Sequence, residues 1–343
     1  MMAPSGPAGA NQDRTGEKPD MREIRYIKAI TEALSEEMSR DEDVFIIGED
    51  VGGPGGAFSA TRGLLETFGD RRVKDTPISE SAIVGLATGA AISGLRPVAE
   101  IMFADFLAVC MDQIVNQMAK TRYMFGGMYT MPVVIRTPCG GGLNAGPQHS
   151  QCLESWFAHV PGLKVVMPST PYDVKGLLKS AIRDDNPVLF FENKALYAMK
   201  GEIPDGEYLV PIGKADVKRP GKDVTVVAAS RMVHQALEAA KVLSGEGIDT
   251  EVIDLRTISP LDKETILQSV EKTSKLVIAH EAVKAFGIGA EIAAMVCEEM
   301  IDRLDAPVAR VGAPFVPTPF NLENLYLPNA GDVAAAVRNV MEF

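Results

Sequence analysis

The chain has 343 residues, 46% hydrophobic and 23% charged, which is enough for two α/β domains that each bury a core. Its net charge of −12 argues against a nucleic-acid backbone or an anionic membrane as the main partner, and no apolar run reaches the roughly 18 residues of a membrane span. Cys110, Cys139, Cys152 and Cys297 form no CxxC pair, which excludes a zinc knuckle or a disulfide framework; a bacterial cytoplasm is the expected compartment, with a mitochondrial matrix second.

Residues 1–20 are rich in Gly, Pro and Ala with mixed charge, and read as a disordered leader. Ile27, Ile30, Leu34 and Met38 then share one helical face. A buried strand at 44–48 (VFIIG) runs into a Gly-rich loop that ends near Phe58. The segment 80–94 (ESAIVGLATGAAISG) is small and apolar nearly all round, which predicts a fully buried helix. Strand 97–102, helix 104–120 and strand 132–136 follow, then a second Gly-rich loop at 139–146. Strand 163–167, helix 172–183 and strand 187–192 complete a first domain over 21–200. The polar stretch 201–222, with prolines beside glycines, reads as the linker. Alternation restarts over 223–343, with strands at 223–229, 250–255, 275–279 and 308–311. The helix carrying Val233, Ala236, Leu237, Ala240 and Leu243 and those at 262–272 and 288–303 lie between them. Strands joined by such helices imply parallel βαβ units, so the fold class is α/β in two domains.

An α/β fold invites a dinucleotide, but GGGLNAG at 140–146 has the wrong spacing for GxGxxG, and FGIGAEI at 286–292 lacks the third glycine. A P-loop and a GxSxG elbow are absent. The run DTPISE at 75–80 is more informative, because a proline turn delivers Glu80 to the mouth of the apolar helix. There it could simply complement the helix dipole, or, partly desolvated, move a proton. MFADF at 102–106 offers aromatic rings to a flat heterocycle, and QHSQ at 148–151 presents His149 after a glycine-rich loop. His159, His234 and His280 read as structural or surface histidines.

Taken together, IIGEDV (46–51), RVKDTPISE (72–80), GLRPVAEIMFADF (94–106), RYMFGG (122–127), QHSQ (148–151), PGLKVV (161–166) and LRTISPLD (255–262) closely resemble one family. It is the β subunit of the thiamine-diphosphate-dependent E1 component of 2-oxo-acid dehydrogenase complexes, of the pyruvate and acetoin dehydrogenase type. The resemblance implies a pyrimidine-binding domain of transketolase type followed by a transketolase C-terminal-type domain. It also implies that Glu80 hydrogen-bonds N1′ of the aminopyrimidine, so that the 4′-nitrogen can remove the thiazolium C2 proton. Phe106 would pack on the pyrimidine, Ile78 would lie at the cofactor's bend, Glu49 would be a second acid, and His149 would assist acyl transfer to a lipoyl arm. A structural potassium would take oxygens from Val133, Ala181, Ile182, Asp184 and Asn186.

The family holds magnesium and the diphosphate through a GDG-plus-Asn motif, and no GDG occurs in this chain. The resemblance therefore implies a site shared with an α subunit that supplies the Mg2+ site, in an α2β2 tetramer. A separate lipoyl-bearing E2 acyltransferase would dock on acidic surface such as Glu298, Glu299, Asp302 and the carboxylate of Phe343. The implied reaction is oxidative decarboxylation of pyruvate, with acetoin as second substrate and branched-chain 2-oxo acids third. Two other classes remain open: a homomeric transketolase-type enzyme, which needs the missing motif from another segment, and a non-catalytic E2-docking subunit.

Overall fold

The computed structural model describes residues 20–343, so the expectation for the first twenty residues falls, Asp20 excepted, outside the described residues. The first half contains β1 (Met21–Arg25), α1 (Tyr26–Arg40), β2 (Val44–Gly48), α2 (Leu64–Phe68), β3 (Val73–Asp75), α3 (Glu80–Ile92) and β4 (Arg96–Glu100). It continues with α4 (Ala119–Met124), β5 (Val134–Cys139), α5 (Glu154–Ala158), β6 (Lys164–Val166), α6 (Pro171–Arg183) and β7 (Val188–Asn193). Then come β8 (Lys200–Pro204), β9 (Asp216–Arg219), β10 (Val224–Ala228), α7 (Arg231–Ser244), β11 (Thr250–Asp254) and β12 (Thr257–Ser259). The chain closes with α8 (Lys263–Thr273), β13 (Leu276–Val283), α9 (Ile288–Met300), β14 (Ala309–Ala313), α10 (Glu323–Tyr326) and α11 (Ala330–Met341).

Two sheets carry the fold. The first runs β12-β6-β7-β5-β4-β2-β3, parallel throughout except for β12. Its central strands β2, β5 and β7 are buried at every position because helices cover both faces. On one face Ile30 and Leu34 of α1 pack with Leu177 and Leu178 of α6. On the other, Ile83 and Val84 of α3 belong to a core that continues without a break into Ile253, Ile266 and Ile288 of the second half. The second sheet runs β14-β13-β10-β11-β9, with α7 and α11 closing its outer face through Ala236 and Val337.

Four features differ from the sequence expectations. α3 is not fully buried: Ile83, Val84, Ala87, Thr88 and Ala91 face the core, while Gly85, Gly89 and Leu86, 60% exposed, form an uncovered face. Nearly uniform apolarity hides which side meets the core. The helix expected at 104–120 is irregular, with a 3-10 turn over Ala104–Cys110, a π-helical stretch over Gln113–Met118, and then α4. Asp105 turns inward there, where its Oδ1 accepts Gln151 Nε2 at 2.8 Å and so ties this turn to the loop after β5. The stretch 201–222 is not featureless, since β8 continues into it from Lys200 and pairs with β1, while β9 forms the edge of the second sheet. Finally, the sequence reading overlooked α11, and β12, from the second half, which adds an antiparallel edge to the first sheet. Short edge strands and a C-terminal helix depend on what lies beside them, so local pattern marks them weakly.

Candidate active site

In the first sheet the carboxyl ends of β3, β2, β4, β5 and β7 all open on one edge, the usual place for a site in a parallel sheet. Register makes the neighbours explicit, with Gly48 beside Asp75 and Glu100, and Cys139 beside Asn193. The loops that leave these strands carry Glu49, Ile78 and Glu80, Phe103 and Phe106, His149, and Lys194. The five residues expected from the sequence, Glu49, Ile78, Glu80, Phe106 and His149, thus come to one edge.

Glu80 begins α3, where the exposed N–H groups of the first turn favour a negative charge. It is half-buried, and among the described residues its carboxylate has no hydrogen-bond partner. Glu49 lies close by: its carboxyl is held above the ordinary range by burial first, then by the charges of Asp50 and Glu80. Burial, with a further push from Glu80, lifts the Cys110 thiol to about 12. The surroundings of Glu80 are only partly dry in the single chain, because the open face of α3 and Ile78, 75% exposed, flank it.

Phe106 and His149 meet in a cluster of rings. His149 packs edge-on against Phe103 at 4.7 Å and Phe106 at 5.4 Å between centroids, and Phe58 meets Phe103 at 5.8 Å. A buried ionic network, missed in the sequence, supports this floor. Arg136 bridges Glu100 and Glu192, with Nε to Glu192 Oε1 at 2.8 Å, and Tyr197 donates to Glu192 Oε2 at 2.8 Å. Ala57 N donates to Glu100 Oε1 at 3.3 Å, pinning the Gly-rich loop, and a Cβ at Gly56 would fall on that carboxylate. Burial pushes the Glu100 carboxyl up despite Arg136. The available signal was a charge inside an otherwise apolar strand, which requires a buried partner.

The residues fit the half of thiamine diphosphate that the resemblance assigns to them. An unpartnered carboxylate beside a second acid suits a basic ring nitrogen, while the Phe106 ring and the bare Ile78 suit a flat heterocycle. A potassium ion fits less well. Among its five residues, Val133 O accepts Val188 N at 2.9 Å, Ala181 O accepts Asp184 N at 3.2 Å and Asp184 Oδ1 accepts Asn186 N at 2.9 Å. Yet Arg96 Nε donates to Ile182 O at 2.9 Å, Arg122 donates to Asn186 Oδ1 at 2.6 Å, and Lys164 pairs with Asp184. Against the push of burial, bonds from Lys164 and then Asn186 keep the Asp184 carboxyl below its ordinary range. Three cationic side chains already supply the positive charge, so these residues as placed do not fit an added cation.

The other histidines lie apart from this edge. His159 is exposed, His234 contacts Ser169 O at 2.7 Å, and His280 is buried against Gly287 and Gly289, where burial lowers it to about 4. A cavity of about 1550 Å3 lies elsewhere, lined by Trp156, Ile258, Glu281, Phe286 and Phe315 and by none of the five residues above. The expected residues stand instead on the open carboxyl edge, where the acids and rings gather. Among the described residues no helix is long and apolar enough to cross a membrane.

Comparison with known proteins bears on the chain as a whole. Residues 22–200 match the family described as transketolase, pyrimidine binding domain, and residues 213–333 match transketolase, C-terminal domain. The acetoin:2,6-dichlorophenolindophenol oxidoreductase subunit beta of Cupriavidus necator is 51% identical, covering 94% of this chain and 98% of the relative. The 2-oxoisovalerate dehydrogenase subunit beta and the pyruvate dehydrogenase E1 component subunit beta of Bacillus subtilis are each 49% identical, covering 94% of this chain and all of the relative. Among solved structures, a split gene transketolase described as an inactive beta4 tetramer superposes with a TM-score of 0.78 at 26% identity, over 93% of this chain and 98% of that one.

Proposed function

We propose, because the chain belongs to the transketolase-type family of E1 β subunits, that it forms one half of a thiamine-diphosphate-dependent oxidoreductase. Its reaction would be oxidative decarboxylation of pyruvate, or cleavage of acetoin, with the acyl fragment passed to the lipoyl group of an E2 acyltransferase. Branched-chain 2-oxo acids are the third substrate class, and identities of 51%, 49% and 49% to the three kinds of relative support none over the others. The reading takes 21–200 as the pyrimidine-binding domain and 223–343 as the C-terminal domain, joined by 201–222. The observation that carries it is the convergence of Glu80, Glu49, Phe106 and His149 beside the uncovered face of α3.

When bound, thiamine diphosphate supplies the nucleophilic carbon that attacks the substrate carbonyl. Glu80 would hold a proton at the pyrimidine N1′, at the start of an α3 that the α subunit would cover. Phe106 and Ile78 would pack against the ring, and Glu49 would stand as a second acid beside Glu80. His149, at the entrance, donates or accepts a proton during acyl transfer. The α subunit covers α3 and brings the magnesium and diphosphate site that a chain without GDG lacks. Potassium has no place in the proposed function.

The experiment is co-expression with the gene for an α subunit, followed by dye reduction with pyruvate, acetoin and 3-methyl-2-oxobutanoate. Activity only in the α-containing complex, with one preferred substrate, supports the proposal. Turnover by this chain alone would sink the shared site.

A further inference from the structure

Lys194 is an anomaly in the buried interior. It follows directly on β7, is 3% exposed, and has no carboxylate partner among the described residues. A buried ammonium is costly unless it is well satisfied, so its contacts show what it is for. Its Nζ donates to Gly140 O and, at 2.6 Å, to His149 O, and it lies 5.6 Å from the centroid of the Phe103 ring. Gly140 and His149 are the two ends of the glycine-rich loop, and Phe103 is the ring on which His149 packs.

Besides Lys194, two carboxylates and a few backbone bonds hold the loop. Gly140, Gly142 and Gly146 adopt left-handed φ values of +78°, +103° and +80°, and Leu143, Asn144, Pro147 and Gln148 are exposed. Near its start Gly141 N donates to Glu281 Oε1 at 2.7 Å, and farther on Asn144 N donates to Glu323 Oε2 at 2.7 Å. Both of these anchors come from the second half of the chain. Backbone bonds add Gly140 N to Gln151 O at 3.2 Å and His149 N to Gly146 O at 3.3 Å, and Lys194 is the side chain whose bonds span Gly140 and His149. The site at Gly140 is closed around this arrangement, since a Cβ there would come within 2.5 Å of both Asn193 Nδ2 and Glu281 Oε1.

We infer that Lys194 is a positioning residue, which clamps the two ends of the loop 140–149 and so sets the His149 imidazole against Phe103 and Phe106. The inference rests on the assignment of His149 to acyl transfer for its effect on activity, but its effect on the loop is independent of that assignment. Replacing Lys194 leaves two carbonyls without their side-chain donor and the loop with only its backbone bond between Gly140 and Gln151. A shift of about 1 Å in a reacting group can cost a hundredfold.

The test uses Lys194→Met and Lys194→Arg in the α-containing complex. Hydrogen–deuterium exchange of the peptide spanning 140–151 is expected to rise at least tenfold in Lys194→Met and to recover in part in Lys194→Arg, with the peptides of β5 and β7 unchanged. Turnover coupled to a lipoyl domain, divided by dye-coupled turnover, is expected to fall about tenfold. In a His149→Ala background the same substitution should lower that ratio no further, because the two residues act as one unit. Unchanged exchange at 140–151, or additive losses in the double variant, would overturn the inference. So would a parallel drop in both activities and in Tm, which is the pattern of a purely structural lysine. If Lys194→Met does not assemble, Lys194→Gln in the same cycle decides by the same outcomes. A complex with no activity on any substrate would refute the proposed function instead, and the exchange measurement would still decide the clamp.

Discussion

The two sheets are built alike, yet their carboxyl edges serve different ends. At the edge of the first, Glu49, Glu80, Phe106 and His149 stand half-buried with unused bonding capacity, and α3 beside them is uncovered. At the edge of the second, comparable groups are consumed inside the chain. Asp254, ending β11, accepts a bond from Ser169 and lies 3.7 Å from Lys218, and Glu281 of β13 accepts Gly141 N and Asn193 Nδ2. His280 is sealed beneath Gly287 and Gly289. One edge thus stands open, while the other holds the first domain's loops in place. Fold alone assigns neither role; the state of the side chains at each edge does.

The largest effect should follow from changing the open edge. In the α-containing complex, Glu80→Gln is expected to lower dye-coupled turnover about a hundredfold or more, because the amide cannot supply the proton, with Tm nearly unchanged. Near-normal turnover would remove Glu80 from the chemistry. Next, Leu86→Glu places a charge on the uncovered face of α3. The chain alone should keep its Tm, because Leu86 is 60% exposed, while association with the α subunit, followed by size-exclusion chromatography with light scattering, is lost. A full complex from this variant would show that α3 is not the covered face.

A smaller effect concerns the sealed seam between the sheets. Burial, with a further push from Glu281, lifts the Glu154 carboxyl to about 7, so the folded chain holds that proton more tightly than the unfolded one. Its contribution to stability is fully present below its unfolded value near 4.5 and is lost as pH rises through about 7. Glu154→Gln, which removes that titration, should flatten the fall of Tm between these pH values and leave the variant a few degrees more stable than wild type at pH 8. Identical Tm-against-pH curves for the two proteins would place Glu154 in contact with water. The smallest expectation is a null difference. Equal concentrations of KCl and NaCl should shift Tm equally, because Arg96, Arg122 and Lys164 already occupy the oxygens near α6. A potassium-specific rise would show that these side chains give way.

Much of the site could be read in advance because its residues sit in short contiguous motifs. DTPISE announced a carboxylate at a helix start, and MFADF and QHSQ announced rings at strand ends, since strand-to-loop boundaries are local in sequence. The support beneath them could not be read this way. Arg136, Glu100 and Glu192 lie up to 92 positions apart and pair only because β4, β5 and β7 are neighbours in the sheet. Lys194 looked like any polar residue after a strand until Gly140 and His149 were seen on either side of its ammonium.

The sequence by itself determined the α/β class, the order of the main elements and the residue types at the open edge. Apolar runs, glycine turns and proline positions act over a few residues and need no partner to be recognised. The tertiary structure alone decided which side of α3 meets the core, how β9 and β12 cap their sheets, and which charges are buried in pairs. Each of these depends on groups distant in the chain coming within a few ångströms, and on whether water or protein lies against them, which composition and periodicity do not encode.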